Sequence, residues 1–393
     1  MKILIIHCAY QYKGGEDTVV EEETKLLRDA GHVVELLRFT NEGNTLLKIL
    51  QLPFNFSSYL KAKKKIKRFL PDVIHIHNLH FAASPSVIYA AKHSRVPFVC
   101  TLHNYRLLCP SAILFHKGEA FLDSLSRPFP WKAVRAGVYK NSRLLSFWMA
   151  LSMQIHHWLG TWKLPHRYVV LSEHAKKIFL QSKLRLEEEQ FVVKPNFCFA
   201  PQQLQYNGQQ NFLFVGRLSL EKGVPLLLRI FSSSAHHITL AGDGPLKEQV
   251  IEYAKKYPNI RYAGSLKKPQ LTELMQGSSA LVFPSIWYEG MPLTIIEAFS
   301  NGLPVMATKL GAMEYMVTPE QDGLLFEAGN ESDLKGILAQ WHAMSAGEKA
   351  LYRQNARTTY ENFYTPEKNA EQLLAIYHSV QREGKEPSLA FAN

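Results

Sequence analysis

Acidic side chains are the scarcer charge in this sequence: 34 Asp and Glu face 45 Lys and Arg over 393 residues, a formal net charge of +11. That surplus favours an anionic partner, whether nucleic acid, a phospholipid surface or a phosphorylated substrate. Cysteine is scarce as well. Cys8, Cys100, Cys109 and Cys198 stand apart without CxxC spacing, which fits neither a zinc site nor a disulfide framework and agrees with a reducing cytosol. The opening MKILIIHCAY has one basic residue, an apolar run too short for a signal-peptide core and no small-residue cleavage site; it reads as a buried first strand. Long apolar runs are also lacking. The nearest is Leu144–Trp162, nineteen residues without a formal charge, against ~20 mostly apolar residues for a spanning helix. Ser146, Ser152, Gln154, His156, His157 and Thr161 dilute it, and a buried or interfacial helix is expected.

What is plentiful is apolar content. Hydrophobic residues make up 46% of the chain and aromatics 11%, too much for a disordered protein, while the length exceeds what one core organises, so two domains are expected. The first strand is followed by a polar turn at Gln11–Gly15, a helix from about Glu16 to Ala30 and the strand HVVELLRF, a βαβ opening. VIHIHN (Val73–Asn78) and PFVCTLHN (Pro97–Asn104) are further apolar runs, separated by a helical stretch over Ser86–His93. YVVLSEHAKKIF (Tyr168–Phe179) gives strand, serine cap and helix. This alternation predicts a parallel sheet covered on both faces. Ligands of such sheets sit at the carboxyl ends of the strands, where Gly14, Gly15, His77, Asn78, His103 and Asn104 fall.

A second series starts at Asn211: NFLFVG, a loop and a helix, HITLAGDG, a helix to Lys256, NIRYAG, a helix near Pro269–Gln276, ALVFPS, then PVMAT and GLLFE. Between the two series PNFCFAPQQLQYNGQQ is rich in Pro, Gln and Asn and reads as a linker. The expected division is a first Rossmann-like domain over 1–195, a linker over 196–210 and a second Rossmann-like domain over 211–363. The segment 364–381 opens on the bend Tyr364-Thr365-Pro366 and continues as an amphipathic helix from Pro366 to Gln381, and 382–393 read as a tail. The basic run KAKKKIKR (Lys61–Arg68) is either a solvated helix face or a contact for anionic lipid head groups.

Three stretches carry chemistry. In VGRLSLEKG (Val215–Gly223) a strand ends at Gly216, and Arg217 and Lys222 follow in a loop that opens a helix. A planar donor fork, a mobile point charge and helix amides together suit a diphosphate, although two cations at this spacing are also compatible with ordinary surface residues. AGDGP (Ala241–Pro245) is a second strand-to-helix turn on the same rim. WYEGMPLTIIE (Trp287–Glu297) sets two glutamates in an apolar segment. Pro292 suits the first turn of a helix running from Leu293 to about Asn301. Glu289 then precedes the helix, Gly290 and Met291 supply N–H groups at its positive end, and Glu297 lies about one and a half turns in. Two carboxylates and the amides between them fit an extended ligand of sugar, phosphates and ribose. The alternative is a dipole partner at Glu289 and an ion-paired helix glutamate at Glu297.

VGRLSLEKG, AGDGPLKEQV, AGSLKKPQLTELMQGSSALVFPS, EGMPLTIIE and GLPVMAT…GLLF, in that order over about Asn211–Phe326, resemble the family-4 retaining glycosyltransferases of the GT-B fold. That fold is α/β, two Rossmann-like domains facing a central cleft, with an N-terminal acceptor domain, a C-terminal nucleotide-sugar donor domain and a last helix that crosses back to the first. The N-terminal half agrees more loosely, through Gly14-Gly15, VIHIHN and TLHNYRLLCP, the last being similar to a bacterial subgroup that builds lipid-linked polysaccharides.

The resemblance implies that Arg217 and Lys222, after Gly216, bind the donor pyrophosphate and stabilise the leaving nucleotide. It implies that Glu289 contacts the donor sugar and Glu297 the ribose, that Gly290, Met291, Pro292 and Leu293 offer amides to sugar and phosphate, and that His103, with Asn104 next to it, lies beside the transferring sugar. Gly14 and Gly15 would belong to a loop closing over phosphate and acceptor. No metal site and no cofactor are expected, the nucleotide sugar being a substrate, and the chain has no DxD motif. Some relatives have a cysteine pair where this chain reads AFLDSL. The expected partners are a nucleotide-diphosphate sugar, a glycan or lipid-linked acceptor and an anionic membrane surface, with no nucleic acid. The expected location is the cytoplasm or the inner face of the plasma membrane. Rival readings are a sugar-nucleotide epimerase of the same fold, a phosphorylase, which would need a lysine for pyridoxal phosphate, and a non-catalytic nucleotide-sugar binder.

Overall fold

A computed structural model describes residues 1–9, 14–41, 49–206 and 211–383. The chain divides into two compact units, one of Met1–Ile113, Leu122–Pro195 and Pro366–Asn393, the other of Leu114–Phe121 and Asn196–Thr365. The excursion of Leu114–Phe121 to the second unit is not announced by any pattern in the sequence. Residues 11–13 of the expected polar turn, 207–210 of the expected linker and 384–393 of the expected tail lie outside the described residues.

The strands of the first unit begin with β1 (Lys2–Ala9), β2 (Val33–Thr40), β3 (Val73–Asn78) and β4 (Phe98–Leu102). The short β5 (Phe115–His116) and β6 (Glu119–Ala120) form a hairpin in the second unit, after which β7 (Arg167–Val170) and β8 (Phe191–Val193) complete the first sheet. The order is β2-β1-β3-β4-β7-β8 with every pairing parallel. Parallel strands are covered on both faces and so read as continuous apolar runs. In β1 every residue after Lys2 is buried, and in β3 all six are, including His75 and His77. The helix Pro366–Glu383 presses Leu373, Ile376, Tyr377 and Val380 into the same core as Ile3, Ile5 and Val73.

The second sheet uses β9 (Phe212–Val215), β10 (Ile238–Ala241), β11 (Ile260–Gly264), β12 (Ala280–Phe283), β13 (Val305–Thr308) and β14 (Gly323–Phe326). It is also wholly parallel, in the order β11-β10-β9-β12-β13-β14. The turns after β9 and β10 are pressed together. A Cβ on Gly242, whose φ is +144°, would lie 1.9 Å from the carbonyl oxygen of Gly216. Only glycine combines that backbone with that approach. Gly242→Ala is expected to destabilise the protein by about 2 kcal/mol through strain and overpacking, which a denaturant midpoint will read; an unchanged midpoint would show the two turns to be loosely packed.

Two local expectations are corrected. The uncharged run Leu144–Trp162 is not one helix: the helix Arg143–Trp158 ends before Gly160, which has φ +67°, and a separate 3-10 turn spans Thr161–Lys163. Among the described residues no helix is long and apolar enough to cross a membrane. Pro292 is the cap of the helix Leu293–Ser300 rather than part of its first turn. Its ψ of 114° is extended while its carbonyl accepts from the N–H of Ile295 at 3.1 Å, the geometry of an N-cap. Two helices that the alternation of strands did not reveal, Glu331–Ala343 and Ala346–Phe363, complete the second unit. They bury Leu334, Leu338, Trp341 and Tyr352.

Candidate active site

From β9 the second sheet is built outward in both directions, and such a switch point opens a crevice at the carboxyl ends of the strands. β9 leads into Gly216 and Arg217, and the loop returns through buried Leu218 to the helix Val224–Ser232. Gly223 closes the loop with φ +73°. A Cβ there would meet the carbonyl oxygen of Pro284 at 2.0 Å, so this loop lies directly on the chain leaving β12. Close approach of the two backbones brings their side chains together.

Lys222 Nζ donates to Glu289 Oε1 at 2.5 Å, and the same oxygen accepts from Ser285 Oγ and from Trp287 Nε1, each at 2.8 Å. Glu289 is only 5% exposed, and a carboxylate so enclosed requires a cation and donors of this kind. The ammonium of Lys222 also lies 5.4 Å from the ring centroids of both Phe283 and Trp287, which fixes its approach. All three side-chain hydrogen bonds reach Oε1. Among the described residues none donates a side-chain hydrogen bond to Oε2.

Arg217 is exposed and makes no hydrogen bond or ion pair among the described residues, so its guanidinium is available to an anion. The loop Gly290–Pro292 is held by Asn196, whose side-chain amide donates to the Met291 carbonyl at 3.4 Å. Glu297 is half-buried in the second turn of the helix, where its carbonyl accepts from Ser300 Oγ and Asn301 Nδ2, each at 2.8 Å. The structure thus joins Lys222 to Glu289 directly and sets Arg217 at the far end of the same loop. Sequence reasoning missed Ser285 and Trp287; the signal was their even spacing with Glu289, directly after β12.

The rim residues of the first unit lie as the strand ends place them. Gly14 caps the helix Gly15–Asp29, and its N–H donates to Asp17 Oδ2 at 3.0 Å. Asp17 Oδ1 in turn lies 2.9 Å from His7 Nε2. Asn104 Oδ1 accepts from the Arg106 N–H at 3.0 Å. His103 Nε2 lies 3.0 Å from His77 Nδ1, the two rings being stacked. Burial pulls His103 down to about 3 and holds His75 and His77 well below the ordinary imidazole value, so these rings are neutral at neutral pH. A cavity over the ends of β3 and β4 is lined by His77, Asn78 and His103 together with Ile88, Met153 and Trp162.

Glu23, His75 and His77 bring ligand atoms within 4.8 Å of one another. His75 already engages Tyr377 Oη and Thr101 Oγ1, each at 2.7 Å, and Glu23 accepts from Lys194 Nζ at 2.7 Å. A donor set with both imidazole nitrogens committed and an ammonium alongside does not fit a metal ion. The cluster was only half legible: the histidines stood out in VIHIHN, whereas Glu23 fell inside the expected helix from about Glu16 to Ala30 and Lys194 just before the expected linker, with no motif around either.

Two family matches divide the chain in the same way as its sheets. Residues 13–197 match Glycosyltransferase Family 4, and residues 199–359 match Glycosyl transferases group 1. The chain is a family-4 glycosyltransferase of the GT-B fold. Among curated relatives, this glycosyltransferase is 30% identical over 173 residues to the sulfoquinovosyl transferase SQD2 of Arabidopsis thaliana, covering 42% of this chain and 34% of that protein. It is 33% identical over 187 residues to the UDP-Gal:alpha-D-GlcNAc-diphosphoundecaprenol alpha-1,3-galactosyltransferase of Escherichia coli, covering 42% and 44%. The match therefore spans less than half the length of either relative. Among solved structures the glycosyltransferase superposes on sucrose-phosphate synthase of Thermosynechococcus elongatus with a TM-score of 0.72 at 15% identity, over 97% and 99% of the two chains. It superposes on Anabaena HepE in complex with UDP-glucose with a TM-score of 0.67 at 16% identity, over 96% and 100%. At these identities the structures speak for the fold.

Proposed function

We propose that this glycosyltransferase moves a sugar from a nucleotide-diphosphate sugar to a glycan or lipid-linked glycan with retention of anomeric configuration, without a metal or other cofactor. The observation that carries this reading is the Lys222–Glu289 pair, with Arg217 on the same loop and a helix N-terminus next to it. Arg217, Lys222 and the amides of Gly290, Met291 and Leu293 meet the diphosphate, after Gly216 turns the loop. Glu289 Oε2 accepts from a sugar hydroxyl and Glu297 from the ribose. As the bond from the anomeric carbon to the phosphate oxygen breaks, its electron pair passes to the diphosphate, whose growing charge the two cations and the amides stabilise. The anomeric carbon becomes oxocarbenium-like. An acceptor hydroxyl bonds to it on the face the phosphate leaves, giving its proton to a phosphate oxygen. No redox partner is needed. In the first unit, the reading gives neutral His103, with Asn104 beside it, a hydroxyl of the transferring sugar, and gives Gly14 and Gly15 the phosphate and acceptor.

Proton NMR of the first-formed product tests the stereochemistry: the anomeric coupling of the product should match that of the donor sugar, and an inverted product would refute retention. The relative named for UDP-Gal and a diphosphoundecaprenol acceptor, and the HepE complexes with UDP and UDP-glucose, favour a uridine nucleotide and a lipid-linked acceptor.

The same reading places the protein on an anionic membrane surface, at the cytoplasmic face. The helix Phe56–Phe69 buries Ser58, Ala62, Ile66 and Phe69 and exposes Lys61, Lys63, Lys64, Lys67 and Arg68 beside Phe56 and Leu60. Exposed cations flanked by apolar side chains suit acidic head groups. Flotation with vesicles should rise with their phosphatidylglycerol content, fall with added salt and be lost when Lys63, Lys64 and Lys67 are changed to Glu. Flotation indifferent to lipid charge would remove this surface.

A further inference from the structure

We propose that Glu23 and His77 are positioning residues that lock His103 in the tautomer with its proton on Nε2, so that Nδ1 presents a bare lone pair and His103 acts as a hydrogen-bond acceptor. The acceptor role rests on the reading that His103 meets a substrate hydroxyl.

The chain of contacts begins at Lys194, just beyond β8, whose ammonium donates to Glu23 Oε1 at 2.7 Å on the helix Gly15–Asp29. Both side chains are almost wholly buried. The other oxygen, Oε2, lies 3.3 Å from His77 Nε2, whose ring is 0% exposed. Neither atom has a hydrogen-bond partner among the described residues, so this 3.3 Å approach is the closest polar contact recorded for the pair. A carboxylate oxygen and an unprotonated ring nitrogen at that distance in a dry interior would repel, so Nε2 carries the proton of His77. In a neutral ring, Nδ1 of His77 is then an acceptor. His103 Nε2, 3.0 Å away, must be the donor, and the second nitrogen of neutral His103 is left bare. The remaining neighbours do not compete. His75 is committed to Tyr377 and Thr101, and His7 Nε2 to Asp17.

Lys194 gives the lock its direction, and with it a test. In a Glu23→Gln variant the lysine still donates to one side-chain atom, which must be the amide oxygen. The NH₂ group is then turned to His77 Nε2, which must lose its proton to Nδ1. His77 Nδ1–H then donates to His103 Nε2, and the proton of His103 moves to Nδ1. An isosteric change two residues away should thus reverse the tautomer of both rings, an effect that mere loss of packing would not produce.

Long-range proton–nitrogen correlation spectra of the ¹⁵N-histidine-labelled full chain will read which nitrogen of each ring is protonated, with His103→Ala and His77→Ala used for assignment. Wild type is expected to carry the His103 proton on Nε2, and Glu23→Gln to carry it on Nδ1. A wild-type proton on Nδ1, or an unchanged tautomer in a folded Glu23→Gln variant, would overturn the lock. The wild-type spectrum decides even if that variant does not fold. Kinetics with whichever UDP-, GDP-, ADP- or TDP-sugar the wild type consumes separate the two levels. Glu23→Gln should lower kcat roughly 10- to 100-fold, by analogy with the loss when the partner orienting a metal-bound imidazole is removed, with the donor KM within about threefold. Wild-type transfer by His103→Ala would instead overturn the acceptor role of His103, whatever its tautomer.

Discussion

Lys222→Ala is expected to lower the rate of sugar transfer by about 10²–10³-fold, the scale on which one preorganised electrostatic contact to a developing anion acts. The residue supplies a cation at the mouth of the crevice, and its ammonium is aimed by Glu289 Oε1 at 2.5 Å and by the faces of Phe283 and Trp287. Arginine should not restore it, because the planar fork cannot occupy the same three-sided cage. Initial rates of nucleotide release will measure the effect, with circular dichroism to confirm folding. Since the change also strips buried Glu289 of its cation, Lys222→Met combined with Glu289→Gln serves as the charge-balanced control. Both should be inactive, and the double variant should be the more stable. A folded Lys222→Ala enzyme within threefold of the wild-type rate would remove the residue from the chemistry.

Lys194→Met should cost the first unit roughly 3–5 kcal/mol at pH 7, because it leaves Glu23 an uncompensated charge in the core. Burial pushes the Glu23 carboxyl upward, and Lys194, with His77 behind it, more than offsets this, leaving the group below the ordinary carboxylate value. The sign of the pH dependence follows. In the wild type the group is depressed, so its stabilising contribution is present above the unfolded carboxyl value of about 4.3 and is lost as pH falls through the folded value. Without the lysine the largest opposing interaction is gone, burial outweighs the weaker pull of the histidines and the folded value rises above the unfolded one. The variant should then regain stability as pH falls from 7 towards 5, opposite to wild type over the acid range. Denaturant midpoints at the two pH values will show it. A midpoint equal to wild type at pH 7 would mean that the pair is solvated rather than buried.

Both sheets were legible in the sequence because parallel strands covered on two faces are written as unbroken apolar runs, as in KILIIHCA and VIHIHN, and because glycines and prolines punctuate them. Helices on the outer layer were less legible. Glu331–Ala343 and Ala346–Phe363 follow the last strand, where no further alternation marks them, and the hairpin at Phe115–Ala120 is too short for a period to show. The candidate site followed the same division. Arg217, Lys222, Glu289 and Glu297 sit in ordered motifs around strand ends and could be proposed from the chain alone. Ser285 and Trp287 gain meaning only when the loop after β12 folds against Lys222. Glu23 and Lys194 are 171 residues apart, and nothing in a linear reading separates a helix glutamate on the surface from one that faces a buried histidine.

The measurement that tests the account most directly is nucleotide release from a panel of UDP-, GDP-, ADP- and TDP-sugars, run with wild-type protein and with Glu289→Ala. The account predicts that wild type consumes one class of donor and that the variant, still folded, loses that turnover. Equal consumption of the same donor by wild type and by Glu289→Ala would contradict it, because the carboxylate that anchors the site would then have no part in the reaction.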